Sequence, residues 1–370
     1  MIYYGKQNIN QEDIDSVIDV LKSDFLTQGP KVPEFEEALH KYCQVKYAKV
    51  VSNATAALHL AYLAVGLKKE DIVWTSPNTF VSTANAALFC GASVDFVDID
   101  LQTFNMSVDS LEKKLIQAKK DKKLPKIVVP VHFAGQSCDM KKIWQLSKEY
   151  KFWVVEDASH ALGGSYLGKK VGNCEYSHMS VFSFHPVKMI TTGEGGAITT
   201  NSKDLDERVA LLRSHGITKE EDKFNYQPHG PWYYEQQVLG FNYRLTEIQA
   251  ALGISQLKRL DSFVSRRQEI ASFYLENLNE AIVPFQHPDS NSSWHLFVIQ
   301  VENRKKVYEE LLNRGIQTQV HYIPVTSQPF HDFKSLKNSE SVYEHCLSLP
   351  IYFDLTEDQC KRVVNCLHYD

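Results

Sequence analysis

Two residues of this chain stand where reactive groups would be useful. Asp157 closes the apolar run Phe152-Trp153-Val154-Val155 and lies within Glu156-Asp157-Ala158-Ser159-His160. Lys188 follows a second β-like run, Ser180-Val181-Phe182-Ser183-Phe184, by way of His185-Pro186-Val187. Soon after comes Thr191-Thr192-Gly193-Glu194-Gly195-Gly196-Ala197, a glycine-rich turn that enters another strand. In a parallel sheet the carboxyl ends of the strands carry the ligand-binding loops, and both residues fall at such ends. An acid at one strand end and a lysine after the next suit pyridoxal 5′-phosphate chemistry. The lysine would hold the cofactor as a Schiff base and, once released, move protons at the substrate carbon. The carboxylate would pair with the protonated pyridine nitrogen and keep the ring an electron sink. A phosphate needs backbone N–H groups and hydroxyls, which Asn53-Ala54-Thr55 offers at a helix N-terminus. Ser183 adds a hydroxyl on the lysine-bearing strand, and Phe80 opens a helix on the same sheet edge, where it can cover the ring.

Each residue alone has a blander use. Asp157 could cap a turn, Lys188 could be a solvated surface lysine, Phe80 could be core, and Thr55 could be an N-cap. The ordered combination at compatible strand ends lifts the chemical interpretation above these. Rival motifs fit worse. Gly163-Gly-Ser-Tyr-Leu-Gly168-Lys169-Lys170 nearly forms a P-loop, but Lys170 stands where a Ser or Thr should hold Mg²⁺ and no strand precedes it. The Gly193–Gly196 cluster lacks the spacing of a dinucleotide-binding turn. His160 and His185 lack the carboxylate or cysteine that would complete a metal shell, so no metal site is expected.

The elements that must position these residues alternate. β-rich runs at 48–51, 72–75, 94–97, 127–131 and 152–155 are separated by helical patterns at 55–65, 81–89, 111–118 and 140–150. Strands alternating with helices of about 10 to 15 residues predict an α/β fold around a mostly parallel sheet. Further strands are expected at 179–184 and 197–200, then a helix at 205–214. A capped amphipathic helix is predicted over 10–23, where Asn10 precedes Ile14, Val17, Ile18, Val20 and Leu21. The large domain should span 1–245. Residues 246–370 should form a connector helix (246–274) and a small α+β domain with strands at 296–301 and 317–322 and helices at 305–314, 341–347 and 357–367.

Composition narrows the partners. The 370 residues carry 40 Lys+Arg against 45 Asp+Glu, a net charge of −5 that argues against nucleic acid or an anionic membrane surface as partner. The seven cysteines contain no C-x-x-C pair, which disfavours a disulfide framework or structural zinc. No apolar run approaches the length of a membrane span, and a cytoplasmic location is expected.

The segments Asp157-Ala158-Ser159-His160, Phe182-Ser183-Phe184-His185-Pro186-Val187-Lys188 and Gly193-Glu194-Gly195-Gly196 together resemble the signature of the DegT/DnrJ/EryC1/StrS aminotransferases. Those are fold-type-I pyridoxal-phosphate enzymes acting on nucleotide-linked keto sugars. The resemblance covers essentially the whole chain, including Leu26-Thr27-Gln28-Gly29-Pro30, Ser76-Pro77-Asn78-Thr79-Phe80, Gly240-Phe241-Asn242-Tyr243-Arg244 and Leu347-Ser348-Leu349-Pro350. It implies that Lys188 forms the Schiff base, Asp157 pairs with the pyridine nitrogen, His160 sits beside the ring near its phenolic oxygen, and Phe80 stacks on it. Ala54, Thr55 and Ser183 would hold the phosphate. Asn242 would reach the phosphate of the neighbouring subunit, implying a homodimer with shared active sites. Asn53 departs from the glycine or serine of many relatives.

Three further stretches, Ser159–Gly163, Arg213–Ile217 and His229–Tyr234, with Gln319-Val320-His321-Tyr322, resemble one branch of that family. That branch aminates C4 of a UDP-linked 4-keto-6-deoxy-N-acetyl hexose on the way to pseudaminic acid. The implied substrates are this UDP-keto sugar and glutamate, with pyridoxamine phosphate as the intermediate cofactor form. Tyr4, Leu26, Thr27, His321 and Tyr322 would line the sugar-nucleotide pocket. Alternatives are another dTDP- or GDP-linked keto sugar, a dehydratase (disfavoured because Lys188 occupies the position a histidine takes there), or a non-catalytic binding regulator.

Overall fold

The β-rich runs condense into one seven-stranded sheet in the computed structural model, which describes residues 1–279, 283–331 and 333–367. In chain order its strands are β1 (Tyr47–Val51), β2 (Ile72–Thr75), β3 (Ser93–Phe96), β4 (Ile127–Val129), β5 (Trp153–Asp157), β6 (Met179–Ser183) and β7 (Gly196–Thr200). Across the sheet they run β1-β7-β6-β5-β4-β2-β3. Only β7 opposes its neighbours; the contacts from β6 through β5, β4 and β2 to β3 are parallel. Such strands must be apolar on both faces because helices cover both. Val154, Val155, Val128 and Val129 accordingly have no exposed surface. Each such side chain contributes about 1.5–3 kcal/mol of burial.

Among the described residues, twelve α-helices surround this sheet and extend the chain. Helix α1 (Gln11–Leu21) is closed by a capping box between Asn10 and Asp13. It is followed by α2 (Lys31–Cys43), α3 (Ala54–Ala64), α4 (Ser82–Phe89), α5 (Val108–Lys120), α6 (Met140–Tyr150) and α7 (Lys203–Arg213). Residues 56–62 of α3 are all buried, as a helix apolar on every side must be. Its N-cap is Asn53, not Thr55.

Beyond residue 245 the expectations need three corrections. The connector is two helices, α8 (Glu247–Lys258) and α9 (Leu260–Asn277), broken at Arg259. The Arg259 guanidinium donates to Asp13 Oδ2 and Asn8 Oδ1, both at 2.5 Å, a tertiary pull with no local breaker residue. Residues 317–322 form no strand; they contribute one bridge, Gln319 with Ser348. The partner of β8 (Phe297–Gln300) is instead β9 (Cys346–Leu349), a segment whose start was expected to be helical. Helices α10 (Arg304–Asn313), α11 (Lys337–His345) and α12 (Glu357–Leu367) complete the chain.

Helix α1 exposes most of its expected apolar face. Ile14, Ile18 and Leu21 are 44%, 37% and 57% exposed; of the expected residues Val20 is buried, and Asp13 is buried with it. The chain's beginning joins its end: Ile2 bridges Ile316 and shares a core with Ile270, Phe297, Leu347 and Val363. Among the described residues, no helix is long and apolar enough to cross a membrane, and no group of three or more His, Cys, Asp or Glu could hold a metal ion.

Candidate active site

A cavity of about 670 Å³ opens at the carboxyl ends of β5 and β6. Lys188 and Asp157 both line it, so the two sequence-predicted reactive groups share one space. Asp157, the last residue of β5, is 5% exposed. Its carboxylate accepts Ser159 Oγ at 2.6 Å and Ser159 N–H at 3.2 Å on Oδ1. Oδ2 accepts the Thr83 hydroxyl at 2.7 Å, and Thr83 is itself bonded to Thr79. Three donors fix the carboxylate's orientation and leave its charge for the cavity. Lys188 reaches the cavity from a turn whose Lys188 N–H donates to His185 carbonyl oxygen at 2.9 Å. Burial lowers its ammonium to about 8 against the opposing pull of the Asp157 charge. A lysine held there gives up its proton more readily than a solvated one.

The opposite wall is neutral. His160 accepts the Ala134 N–H on Nδ1 at 3.3 Å, which leaves its Nε2 to donate to the Tyr322 hydroxyl at 3.0 Å. Burial, then the charges of Lys188 and His321, push His160 well below the ordinary histidine range. His321 is lowered to about 3 by burial and Lys188, and its Nδ1 meets Ser348 Oγ at 2.8 Å. Tyr322 is raised by burial and by Asp157, so its hydroxyl stays protonated. Tyr4 packs against His321 with ring centroids 5.6 Å apart. Phe80, 58% exposed, lies at the mouth with its ring 6.3 Å from Tyr322.

An anion cup closes the third side. The Asn53 side chain caps α3 by accepting Ala56 N–H at 2.8 Å, and its carbonyl takes Ala57 N–H at 3.0 Å. The N–H groups of Ala54 and Thr55 remain for a ligand at a helix N-terminus, where the dipole favours negative charge. A Cβ at Gly196 would lie 2.7 Å from Ala54 N, so the glycine lets β7 run directly beside this cup. Ser183 lines the same cavity.

Of the residues expected from sequence, Tyr4, Ala54, Thr55, Phe80, Asp157, His160, Ser183, Lys188, His321 and Tyr322 thus line one cavity. Leu26, Thr27 and Asn242 lie outside it in the single chain. The Leu26 carbonyl accepts Glu247 N–H at the start of α8, and Asn242 is exposed beside Ser214. Sequence reasoning missed His295, Thr79, Thr83 and Tyr243. Thr79 and Thr83 had no helical-period signal, because Thr79 lies in the bend before α4 while Thr83 lies within it. His295 had none.

The parts fit pyridoxal phosphate. A fixed carboxylate answers a protonated ring nitrogen, a helix N-terminus answers a phosphate, and a lysine of lowered proton affinity faces both. With a seven-stranded sheet carrying a single reversed strand, they define a fold-type-I, pyridoxal-phosphate-dependent aminotransferase. The chain belongs to the DegT/DnrJ/EryC1/StrS aminotransferase family, which it matches over residues 7–368, and is a sugar aminotransferase. It is 43% identical to a UDP-4-amino-4,6-dideoxy-N-acetyl-beta-L-altrosamine transaminase of Campylobacter jejuni, over 99% of this chain and 96% of that one. It is 37% identical to the spore coat polysaccharide biosynthesis protein SpsC of Bacillus subtilis, over 98% and 95% of the two chains. Among solved structures it superposes on Helicobacter pylori PseC, an aminotransferase of pseudoaminic acid biosynthesis, with TM-score 0.91 and 34% identity over 99% and 98% of the two chains.

Proposed function

We propose that this chain moves an amino group from glutamate to the C4 ketone of a UDP-linked 4-keto-6-deoxy-N-acetyl hexose, giving a UDP-4-amino-4,6-dideoxy sugar of the pseudaminic acid type. The observation that carries this is the meeting of Lys188, Asp157 and a neutral His160–Tyr322 wall in one cavity. The likeness to the Campylobacter transaminase along nearly its full length supports the sugar. Bound pyridoxal phosphate would supply the electron sink that makes a C–H bond beside an amine acidic. Lys188 would hold the cofactor, and its released amine would take a proton from the reacting carbon of the donor and return one to C4 of the sugar. Asp157 would keep a negative charge under the ring nitrogen. Ala54, Thr55 and Ser183 would hold the phosphate, His160 would lie beside the ring, and Phe80 would cover it.

Tyr4, His321 and Tyr322 would meet the sugar nucleotide. Leu26 and Thr27, and Asn242 reaching a neighbour's phosphate, would complete the site across a homodimer. The enzyme would work in the cytoplasm. Its domains would divide near residue 245, with residues 2–4 joining the C-terminal core. The test is incubation with glutamate and a panel of UDP-, dTDP- and GDP-linked 4-keto sugars, with 2-oxoglutarate measured and product stereochemistry read by NMR. Release only with the UDP-linked N-acetyl sugar is expected. Turnover of a dTDP or GDP sugar in its place moves the substrate; absence of turnover with every sugar favours a binding regulator.

A further inference from the structure

Tyr243 lines the cavity yet stands outside the expected cofactor residues, and it is held from several sides. Its N–H donates to the Arg213 carbonyl at 3.0 Å, and its carbonyl accepts the Ser52 N–H at 2.8 Å. The ring stacks on Phe241, with centroids 5.0 Å apart and planes at 14°. The hydroxyl lies 3.3 Å from His59 Nδ1. His59 is buried and packs against Phe89 and Phe241. It follows Thr55 by four residues on α3, so the two share one face of the helix, with Cβ atoms about 5–6 Å apart. The Tyr243 hydroxyl is therefore placed over the turn that carries the anion cup. Tyr243 accordingly shares the cavity with Asn53, Ala54, Thr55 and Ser183.

A phenol carries one proton and two lone pairs, so it can accept one hydrogen bond and donate another. Burial raises Tyr243 above the ordinary tyrosine value, and the proton stays on. Burial also lowers His59, which leaves that ring neutral with one N–H to give. Among the described residues, no lysine or arginine except Lys188 lines the cavity, and Lys188 has the cofactor's aldehyde to meet. A phosphate in the cup is thus left to neutral donors, and each added hydrogen bond to a charged group is a strong one. We infer that Tyr243 is a phosphate-binding residue of the cofactor site, its O–H donating to the phosphate while His59 donates to the phenolic oxygen and aims it. This deepens the reading in which Ala54, Thr55 and Ser183 hold that phosphate, and rests on it.

The test titrates cofactor-free protein with pyridoxal 5′-phosphate and, separately, with pyridoxal, which lacks the phosphate. Binding is read without turnover, from the visible absorbance of the Schiff base. Tyr243→Phe removes one oxygen and keeps the stack on Phe241. It should weaken pyridoxal phosphate about ten- to hundredfold, the worth of one hydrogen bond to a charged group, and leave pyridoxal within twofold. If that variant does not fold, His59→Phe gives the same comparison. It keeps a ring against Phe89 and Phe241, removes the group that aims the phenol, and should weaken the phosphate form several-fold. An unchanged affinity for pyridoxal phosphate, or equal weakening of both ligands, overturns the inference and leaves the cup of Ala54, Thr55 and Ser183 standing. A wild-type protein that binds the two ligands equally well removes the cup, and this inference with it.

Discussion

Glu156 and Asp157 are adjacent carboxylates on β5, yet they live in different surroundings because successive strand residues point to opposite faces. Asp157 turns to the cavity, held by two hydroxyls and one N–H. Glu156 turns away and meets His132 Nε2 at 2.6 Å, in a pair with 7% and 0% of its side-chain surface exposed. His132 Nδ1 accepts the Cys138 N–H at 3.2 Å, so the imidazole proton sits on Nε2 and goes to Glu156. One carboxylate is tied to a buried imidazole of the protein. The other is oriented by the protein and still has a charge to offer a ligand. Function is separated from framework here by the direction of a side chain.

The comparison can be broken, starting with the partner of the cavity-facing acid. Lys188→Ala should abolish transamination, by more than about 10⁴-fold, and remove the visible absorbance of the bound cofactor. Retention of both in a spectrum and a single-turnover assay would take Lys188 out of the chemistry. Asp157→Asn should keep the fold and cofactor while slowing the rate about 10²- to 10³-fold, as loss of a fixed charge at a reacting system does. An unchanged kcat would erase the distinction between the two acids.

Glu156→Gln should do the reverse. We expect about 1–3 kcal/mol less stability in urea unfolding, from a weakened buried hydrogen bond, with kcat within a few-fold of wild type. A large loss of kcat with unchanged stability would make Glu156 part of the site. The last effect concerns acid. His321 holds its proton only below about 3, against an ordinary value of 6.5. Between those values the unfolded chain binds a proton that the folded chain refuses, so this contribution, complete above pH 6.5, is lost as pH falls. His321→Gln should flatten the decline of the urea midpoint between pH 6.5 and 4, and an unaltered slope would show that His321 is charged in the folded protein.

Most of the sheet was legible in sequence because its central strands are rich in buried valine, isoleucine and phenylalanine and lie between helical patterns. The run 72–75 is β2, and Met140 to Tyr150 is α6. That Asp157 and Lys188 share one cavity was legible too, since Asp157 ends one strand and Lys188 lies just past the next. What escaped depends on distant partners. Arg259 breaks a helix because Asp13 and Asn8 pull on it, and nothing near Arg259 in the chain reports that. Cys346–Leu349 becomes a strand because Phe297–Gln300 lies beside it. His295 looks like any histidine before a strand until the cavity forms around it. The exposed isoleucines of α1 follow the helical period faithfully, but α8 receives the opposite side, where Asp13 is matched to Gln256 and Arg259.

The pairing of Ile2 with Ile316 sets a schedule for biosynthesis. Ile2 N–H bonds Gly315, and the Tyr4 carbonyl receives Ile351 N–H at 3.1 Å, so the segment carrying Tyr4 finds its partners only when the last part of the chain exists. The central sheet can form during translation, since its strands end at residue 200. The cavity wall at Tyr4 must wait for contacts that span more than three hundred residues. A ribosome-bound chain therefore has its lysine and aspartate in place well before it has a finished pocket.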